Sequence, residues 1–269
     1  MSFIENEVNG VVFMTSQSIE TTHAFTTRYG GISSGIYQSL NLAHRVGDDP
    51  ESVKENYIRL CSALEISTTD IVCSNQVHGI NIRVITRKDC GYIFTRTDNQ
   101  ADAVITQSSN IALMVFAADC VPILLYDPVK KAIGAVHAGW RSTAADITGA
   151  VVQKMKSEFG CSPSDIKAAI GPCISCCCFE TDTDVPNALT SALGDDADKC
   201  ITRRDEKYLI DLKEANRIML LKSGLVDIDI SDECTSCSNM KYWSHRKTGG
   251  QRGSQVALIV IKDTKGTSS

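Results

Sequence analysis

Three segments of the chain place apolar residues at intervals of three and four, the spacing that puts them on one face of an α-helix. The first follows Asp49-Pro50, where Asp is suited to cap a helix and Pro to take its first position. The apolar face of this predicted helix comprises Val53, Tyr57, Leu60 and Leu64.

The same spacing predicts two further helices. One covers Ser142–Phe159 and stops at Gly160, a residue type that commonly terminates helices. The other begins at Asp211, where Glu214 completes a capping-box pattern, and it stops at Gly224.

Between the helices lie apolar, β-rich segments that predict strands. They are Ile80–Ile85, Ala103–Thr106, Ile111–Phe116, Ile123–Tyr126, Ala132–Val136, Lys167–Ile170 and Val256–Ile261. Several lack polar alternation, as expected for strands covered on both faces. The mixture predicts an α/β or α+β fold with helices outside a core of strands. Gly194–Lys199 is predicted to be a loop, and residues 1–269 to form one domain, because no repeat or long linker interrupts them.

Charge and hydropathy narrow the classes of function. The formal net charge of −5 disfavours a nucleic-acid binder, which usually carries a basic face. No apolar run reaches the roughly 18–20 residues that cross a bilayer. The longest run, Ile111–Tyr126, is interrupted by Asp119 and Pro122. The N-terminus lacks the pattern of a signal peptide, so we expect a cytoplasmic protein with no membrane partner.

Cysteine is unusually frequent, with 12 residues. Without an export signal, reduced thiols or metal ligands are expected rather than disulfides. Two groups are conspicuous, namely Cys173, Cys176, Cys177 and Cys178, and the C-x-x-C pair Cys234 and Cys237. They suggest a second zinc or a redox pair, although packed thiols are the simpler interpretation because free cysteine behaves as a small hydrophobe.

Three residues outside those groups form a candidate metal site. His78 precedes a predicted strand, Cys120 lies between two apolar strands, and His137 ends a strand. All three lie at strand ends or turns, where functional side chains often occur. A His-Cys-His set suits a catalytic zinc ion, which keeps one coordination position open.

Spacing alone leaves two other interpretations of this trio. In one, His78 and His137 are satisfied within turns and Cys120 is a buried thiol. In the other, Cys120 is a nucleophile with His137 or His78 as its base. Metal ligation and nucleophilic catalysis both require the three side chains to meet in space.

An ordered series of short motifs resembles the YfiH/YlmD family, also called the laccase-domain family. The motifs are Thr26–Gly31, Ser39–Leu42, Gly47–Pro50, Gln76–Gly79, Ala101–Ala103, Ala118–Pro122, His137–Arg141, Ile170–Ile174, Cys177–Glu180 and Ser244–Arg246. They extend over about residues 24–261, nearly the whole chain. So many motifs in the same order make the resemblance specific.

The resemblance implies a four-layer α/β/β/α sandwich, similar to the catalytic domain of cytotoxic necrotizing factor. It also implies that His78, Cys120 and His137 bind zinc, or copper if the protein is loaded with it. Family members are purine nucleoside phosphorylases that act on adenosine, inosine, guanosine or methylthioadenosine, and some deaminate adenosine. We therefore predict a zinc-dependent purine nucleoside phosphorylase with adenosine deaminase activity, as a monomer or small homo-oligomer.

The family motifs contain further candidate site residues. Asp119, next to Cys120, is a candidate to move a proton or to order the ligands. Arginine suits the planar contacts that phosphate offers, and the candidates are Arg28, Arg141 and Arg246. Asn41 and Gln76 are candidates to hydrogen-bond the nucleoside. Structural ion pairs and turn contacts are the alternative for all of these residues.

The alternative functions use the same site differently. Other family members are described as copper-dependent polyphenol oxidases or as editors of a peptidoglycan precursor. Five histidines are too few for a multicopper laccase, although one copper ion can occupy a His-Cys-His site. A non-enzymatic zinc module is disfavoured because structural zinc normally has four protein ligands. Ser142, Arg45 and His245 depart from the family pattern and leave the preferred nucleoside undecided.

Overall fold

The computed structural model describes residues 3–44, 46–91 and 99–263, so Arg45 lies outside the described residues. Its strands are β1 (Phe3–Val8), β2 (Val11–Ser16), β3 (Thr22–Thr26), β4 (Ile71–Val72), β5 (Ile82–Val84), β6 (Ala103–Thr106), β7 (Ala112–Ala117), β8 (Val121–Asp127), β9 (Ala132–Ala138), β10 (Lys167–Ile170), β11 (Glu180–Thr181), β12 (Ile201–Arg204), β13 (Lys207–Ile210), β14 (Asp227–Ile230) and β15 (Gln255–Val260). Its α-helices are α1 (Pro50–Leu64), α2 (Trp140–Ala144), α3 (Ile147–Phe159), α4 (Asp184–Leu193), α5 (Leu212–Lys222) and α6 (His245–Thr248).

Two six-stranded sheets form the centre of the fold. Their strand orders are β1-β2-β3-β15-β7-β4 and β14-β10-β8-β9-β6-β5. Helix α1 packs on the outer face of the first sheet, and α3, α4 and α5 cover the outer face of the second. Apolar side chains from both sheets fill the space between them. The four-layer α/β/β/α sandwich is therefore confirmed.

Strand β15 shows why several strands lack polar alternation. Val256, Leu258 and Val260 point to the α1 layer, whereas Ala257 and Ile259 point into the space between the sheets. Both faces of the strand are buried, so apolar residues are favoured at every position. No helix of the described residues is long and apolar enough to cross a bilayer.

Two of the predicted helices are confirmed and one is wrong in its extent. The helix after Asp49 is α1, and the Asp49 side chain accepts a hydrogen bond from the Ser52 backbone N–H. The helix after Asp211 is α5, capped in the same way by Asp211. The single helix predicted for Ser142–Phe159 is instead α2 followed by α3.

The break between α2 and α3 has a local cause. Asp146 adopts a left-handed conformation with φ 54°, and its side chain accepts a hydrogen bond from the Gly149 backbone N–H. A capping aspartate offers the backbone an alternative to helical hydrogen bonds, so a new helix starts there. The segment predicted as a loop, Gly194–Lys199, is a short 3₁₀ helix that follows α4.

Strands β8 and β9 carry the part of the fold that matters most for chemistry. They pair antiparallel, with Val121 opposite Ala138 and Pro122 opposite His137. Cys120 directly precedes β8, and therefore lies beside the end of β9 that carries His137. The hydrogen-bonded register of two neighbouring strands thus brings two of the three predicted ligands together.

Candidate metal centre

The three predicted ligands converge. One donor atom from each of His78, Cys120 and His137 lies within 4.8 Å of the others. The Cys120 Sγ is 3.9 Å from the His78 Nε2, and the two imidazole rings meet edge to face with centroids 4.9 Å apart. His137 is buried, Cys120 is partly buried and His78 is exposed. The cluster therefore has one side open to solvent.

His78 reaches the cluster from an unusual backbone conformation. It lies in the loop between β4 and β5 with φ 59°, the left-handed region that side-chain-bearing residues seldom adopt. The backbone N–H groups of Val77, His78 and Gly79 all donate to the carboxylate of Asp102, at 3.2, 2.9 and 2.7 Å. Three converging hydrogen bonds to one carboxylate hold the loop in this shape.

Asp102 also orients the second histidine. Its Oδ1 accepts a hydrogen bond from the Nδ1 of His137 at 2.8 Å, and its side chain is fully buried. Because a carboxylate accepts only, Nδ1 must carry the proton and Nε2 is left for a metal ion. A carboxylate behind a histidine in this way is the usual support of a zinc-ligating imidazole.

Sequence reasoning gave Asp102 no role, although a signal was present. Asp102 lies in the apolar segment Ala101–Thr106, and a carboxylate buried in such a segment needs strong partners. Burial alone would raise the pKa of Asp102. The hydrogen bonds from His137 and from the Gly79 and Val77 backbone lower the pKa by more than burial raises it, so the net shift is downward. The carboxylate is therefore held in its charged form.

The electrostatics of the cluster favour a thiolate. Burial raises the pKa of Cys120, but the neighbouring His137 and His78 outweigh this effect and lower it to about 6. The thiolate is the form of cysteine that binds metal ions. A bound cation would take the place of the protons that the histidine nitrogens donate to the Cys120 sulfur. A tetrahedral zinc ion requires nitrogen and sulfur donors about 3.4–3.8 Å apart, so the donors need only a small contraction.

Comparison with known proteins identifies the family. The family described as "Multi-copper polyphenol oxidoreductase laccase" matches residues 22–262. The chain belongs to this laccase-domain family. The resemblance read from the short motifs is thereby confirmed.

Relatives of the chain within this family are named as enzymes of purine nucleosides. The chain is 37% identical over 240 residues to the purine nucleoside phosphorylase YlmD of Geobacillus stearothermophilus. The aligned region covers 87% of this chain and 88% of that protein. It is 32% identical over 257 residues to an adenosine deaminase from an unknown prokaryotic organism, with 92% and 97% covered. The crystal structure of YlmD from Geobacillus stearothermophilus matches with a TM-score of 0.91 and 34% identity, over 96% of this chain and 98% of that chain.

Gly139 provides a steric test of the candidate metal centre in this laccase-domain chain. A Cβ atom at Gly139 would lie 2.8 Å from the Cδ2 of His78 and 3.4 Å from the Sγ of Cys120. We expect Gly139→Ala to displace the His78 ring and to lower metal affinity about 10- to 100-fold, as disturbed ligand orientation does elsewhere. Competition with a chromogenic chelator measures the affinity.

Gly79→Ala is the matched control for this prediction. It adds the same methyl group next to the same ligand, but its Cβ meets nothing closer than 3.7 Å. Its metal affinity is expected to equal that of the unmodified chain. Equal affinities for the two variants would show that the close approach at Gly139 does not govern ligand placement.

Asp119 lies beside the cluster but uses its carboxylate within the chain. Its Oδ1 accepts a hydrogen bond from the Thr235 hydroxyl at 2.6 Å, and its Oδ2 accepts one from the Arg246 backbone N–H at 2.6 Å. Its backbone has φ 90°, in the tight turn before Cys120. These contacts fix the turn that precedes Cys120.

Three of the five predicted substrate residues make extensive contacts within the chain. Arg28 donates to the backbone oxygens of Gln38 and Asn239 and stacks on Trp243. The Asn41 amide bonds Asp48 and the backbone of Ala43 and Ser254. The Gln76 amide forms a two-way pair with the Phe116 backbone, at 2.8 and 2.7 Å. These contacts hold in place the loops to which the three residues belong.

The other two arginines differ in their contacts. Arg246 donates from Nη1 to the backbone oxygens of Cys178 and Glu180. Arg141 is exposed and stacks on the Trp140 ring at 4.1 Å, and its guanidinium makes no hydrogen bond to the residues that the structure describes. It lies two residues after Gly139, where an added Cβ would approach two of the three donor residues. Of the three predicted arginines, Arg141 is therefore the one whose guanidinium donors are all unused by the described residues.

Arg252 is a neighbouring cation that sequence reasoning missed. Its Nη1 donates to the Gly253 backbone oxygen and the Ser254 hydroxyl, and its Nε is buried without a partner among the described residues. Burial lowers the pKa of Arg252, although the charges of Asp119 and Cys120 partly oppose this shift. The Arg252 guanidinium is therefore a cation whose charge acts on Cys120. No local motif in the sequence pointed to it.

Proposed function

We propose that the chain is a zinc-dependent purine nucleoside phosphorylase that also deaminates adenosine. The observation that carries the proposal is the open three-donor cluster of His78, Cys120 and His137, supported from behind by the buried Asp102. Catalytic zinc sites have three protein donors and one free position, whereas structural sites are closed by a fourth. The purine names of the relatives supply the substrate class.

A zinc ion held by His78, Cys120 and His137 would supply a Lewis acid and would make water a stronger nucleophile. In phosphorolysis, a phosphate oxygen bonds to C1′ of the ribose while the bond from C1′ to the purine nitrogen breaks. The purine leaves with the electron pair and takes up a proton. Preorganised positive charge is needed for the incoming phosphate and the leaving base.

The residues around the cluster divide this work in our proposal. Arg141 binds phosphate, because its planar guanidinium is exposed and stacked in place by Trp140. Arg252 balances the thiolate charge. Asp119 holds the turn that presents Cys120, and Asp102 keeps the His137 imidazole in the required tautomer.

Polyphenol oxidation receives less support from the same residues. A multicopper oxidase needs several copper centres, and five histidines are too few to build them. Copper binds strongly to nitrogen and sulfur donors, so copper loading of this one site accounts for any weak oxidase activity. Peptidoglycan-precursor hydrolysis would use the same three donors with a larger substrate.

Product analysis tests the proposal. Metal-defined protein, purified without added copper, is incubated with adenosine, inosine or methylthioadenosine, with and without phosphate, and products are separated by chromatography. We expect free base and ribose 1-phosphate only when phosphate is present, and inosine from adenosine in its absence. A chelator should abolish both reactions, and added zinc should restore them.

Two results would contradict the proposal. Zinc-loaded protein that turns over none of the three nucleosides would shift the assignment to hydrolysis of a cell-wall precursor. Phenol oxidation by copper-loaded protein at a higher rate than any nucleoside reaction would favour the oxidase.

A further inference from the structure

We propose that Cys177, Cys178, Cys234 and Cys237 bind a second zinc ion with a structural role. The four sulfur atoms lie within 4.8 Å of one another. The Sγ of Cys237 is 3.5 Å from that of Cys177 and 3.4 Å from that of Cys178, and the latter two are 3.8 Å apart. We refer to these residues as the four-cysteine cluster.

The sulfur separations match a metal site and do not match disulfides. A tetrahedral zinc ion with bonds of 2.3 Å to sulfur places the sulfur atoms about 3.8 Å apart. A disulfide bond requires about 2.05 Å. Adjacent cysteines are an uncommon ligand pair, but here the Cys177 and Cys178 side chains both turn toward Cys237. The four sulfur atoms are therefore already placed to bind one cation between them.

A backbone amide is directed at the first sulfur of the C-x-x-C segment. The Ser175 backbone N–H donates to the Sγ of Cys234 at 3.4 Å. Amide groups directed at a sulfur atom stabilise it as a thiolate, the form that ligates zinc. This feature is independent of the distances between the sulfur atoms.

Charge and access also suit a cation. Cys177 and Cys237 are exposed, so an ion can enter from solvent, whereas Cys234 is buried and anchors the cluster. Four ionised sulfurs at these distances repel one another strongly unless a cation neutralises them. Four protein donors leave no open position, so the ion would be structural rather than catalytic.

The four-cysteine cluster joins two segments that also contact the turn before Cys120, a donor of the three-donor cluster. Residues 173–178 follow β10 and residues 234–237 follow β14, and Cys173 pairs with Cys234 as an isolated bridge. The Ile174 backbone N–H donates to the Asp119 backbone oxygen at 3.0 Å, and Thr235 donates to the Asp119 side chain. An ion in the four-cysteine cluster would therefore fix both partners of the turn that precedes Cys120.

Metal stoichiometry tests this inference without reference to enzymatic activity. The full chain is produced under reducing conditions with zinc, freed of loosely bound metal by gel filtration, and assayed for zinc by mass spectrometry. We expect two zinc ions per chain, and one in Cys237→Ser or in Cys120→Ala. The double variant should contain none. Cobalt substitution should add a sulfur-to-cobalt charge-transfer band that is weaker in Cys237→Ser than in Cys120→Ala.

Cys176→Ser is the matched control, because Cys176 is an exposed neighbour outside the cluster. It should retain two zinc ions. Alkylation of the unmodified chain should modify Cys176 readily. It should modify Cys177 and Cys237 only after a chelator is added. Because this experiment uses no variant, it tests the inference even if a variant misfolds. The inference would be overturned by one zinc ion per chain together with alkylation of all four cysteines of the four-cysteine cluster before any chelator is added. A disulfide within the cluster in protein that was never exposed to an oxidant would overturn it as well.

Discussion

Replacing Cys120 by Ala is expected to abolish zinc binding at the His78 and His137 site and to lower turnover of every nucleoside by more than about 100-fold. Loss of a residue that merely supports a ligand already costs 10- to 100-fold in metal affinity, and Cys120 supplies a donor itself. Cys120 supplies the only sulfur donor of the three-donor cluster. Zinc content and initial rates with adenosine and phosphate measure the two effects.

A second variant separates metal ligation from nucleophilic catalysis by the same residue. Cys120→His keeps a nitrogen donor for zinc but removes the thiolate nucleophile, so partial retention of both zinc and turnover is expected from a ligand. Cys90→Ala, which removes another partly buried thiol, is the control and should retain full zinc content. An adduct on Cys120, detected by mass spectrometry after rapid quenching with substrate, would instead support the nucleophile.

Replacing Asp102 by Asn is expected to weaken zinc binding about 10- to 100-fold and to lower the free energy of unfolding by about 3 kcal/mol. The carboxylate accepts four hydrogen bonds, from His137 Nδ1 and from the backbone of Val77, His78 and Gly79. An amide has one oxygen, and its NH₂ group would face two of these donors. Chelator competition and denaturant unfolding of the metal-free protein measure the two effects separately.

Asp127→Asn is the matched control for Asp102. Asp127 is also fully buried and also accepts hydrogen bonds from backbone N–H groups, those of Val129 and Lys130. It lies at the opposite end of β8 from Cys120. We expect this variant to lose stability but to keep its zinc affinity. Equal losses of affinity in the two variants would mean that Asp102 acts through general stability rather than through the histidines.

The sequence was informative where the physical cause is local. The Asp49 and Asp211 caps, the strand Ala103–Thr106 and the strand Lys167–Ile170 follow from residues a few positions apart, and their predicted positions are confirmed. Helix α4 was not predicted; it contains Pro186, which a helix tolerates in its first turn. Strand β1 was missed because it is a polar edge strand with exposed Glu5 and Glu7.

The site required information that local patterns do not contain. The motifs named the donors through family resemblance, but spacing could not show that residues on separate loops and strands meet. The roles of Asp102 and Arg252 depend on burial and on partners that are distant in the chain. The same holds for the four-cysteine cluster, because sequence shows two short cysteine groups and only the fold brings them together.

The pairing of β8 with β9 has a consequence for how such a chain can change during evolution. The separation of Cys120 and His137 is set by main-chain hydrogen bonds between neighbouring strands, with Pro122 opposite His137. Core side chains can therefore be exchanged widely without moving the two donors, in keeping with a relative that is 34% identical yet matches with a TM-score of 0.91. Insertion or deletion of a single residue within either strand is different, because it turns every following side chain to the opposite face of the sheet. Between these two donors, we expect changes of length to be confined to the turn that joins the strands.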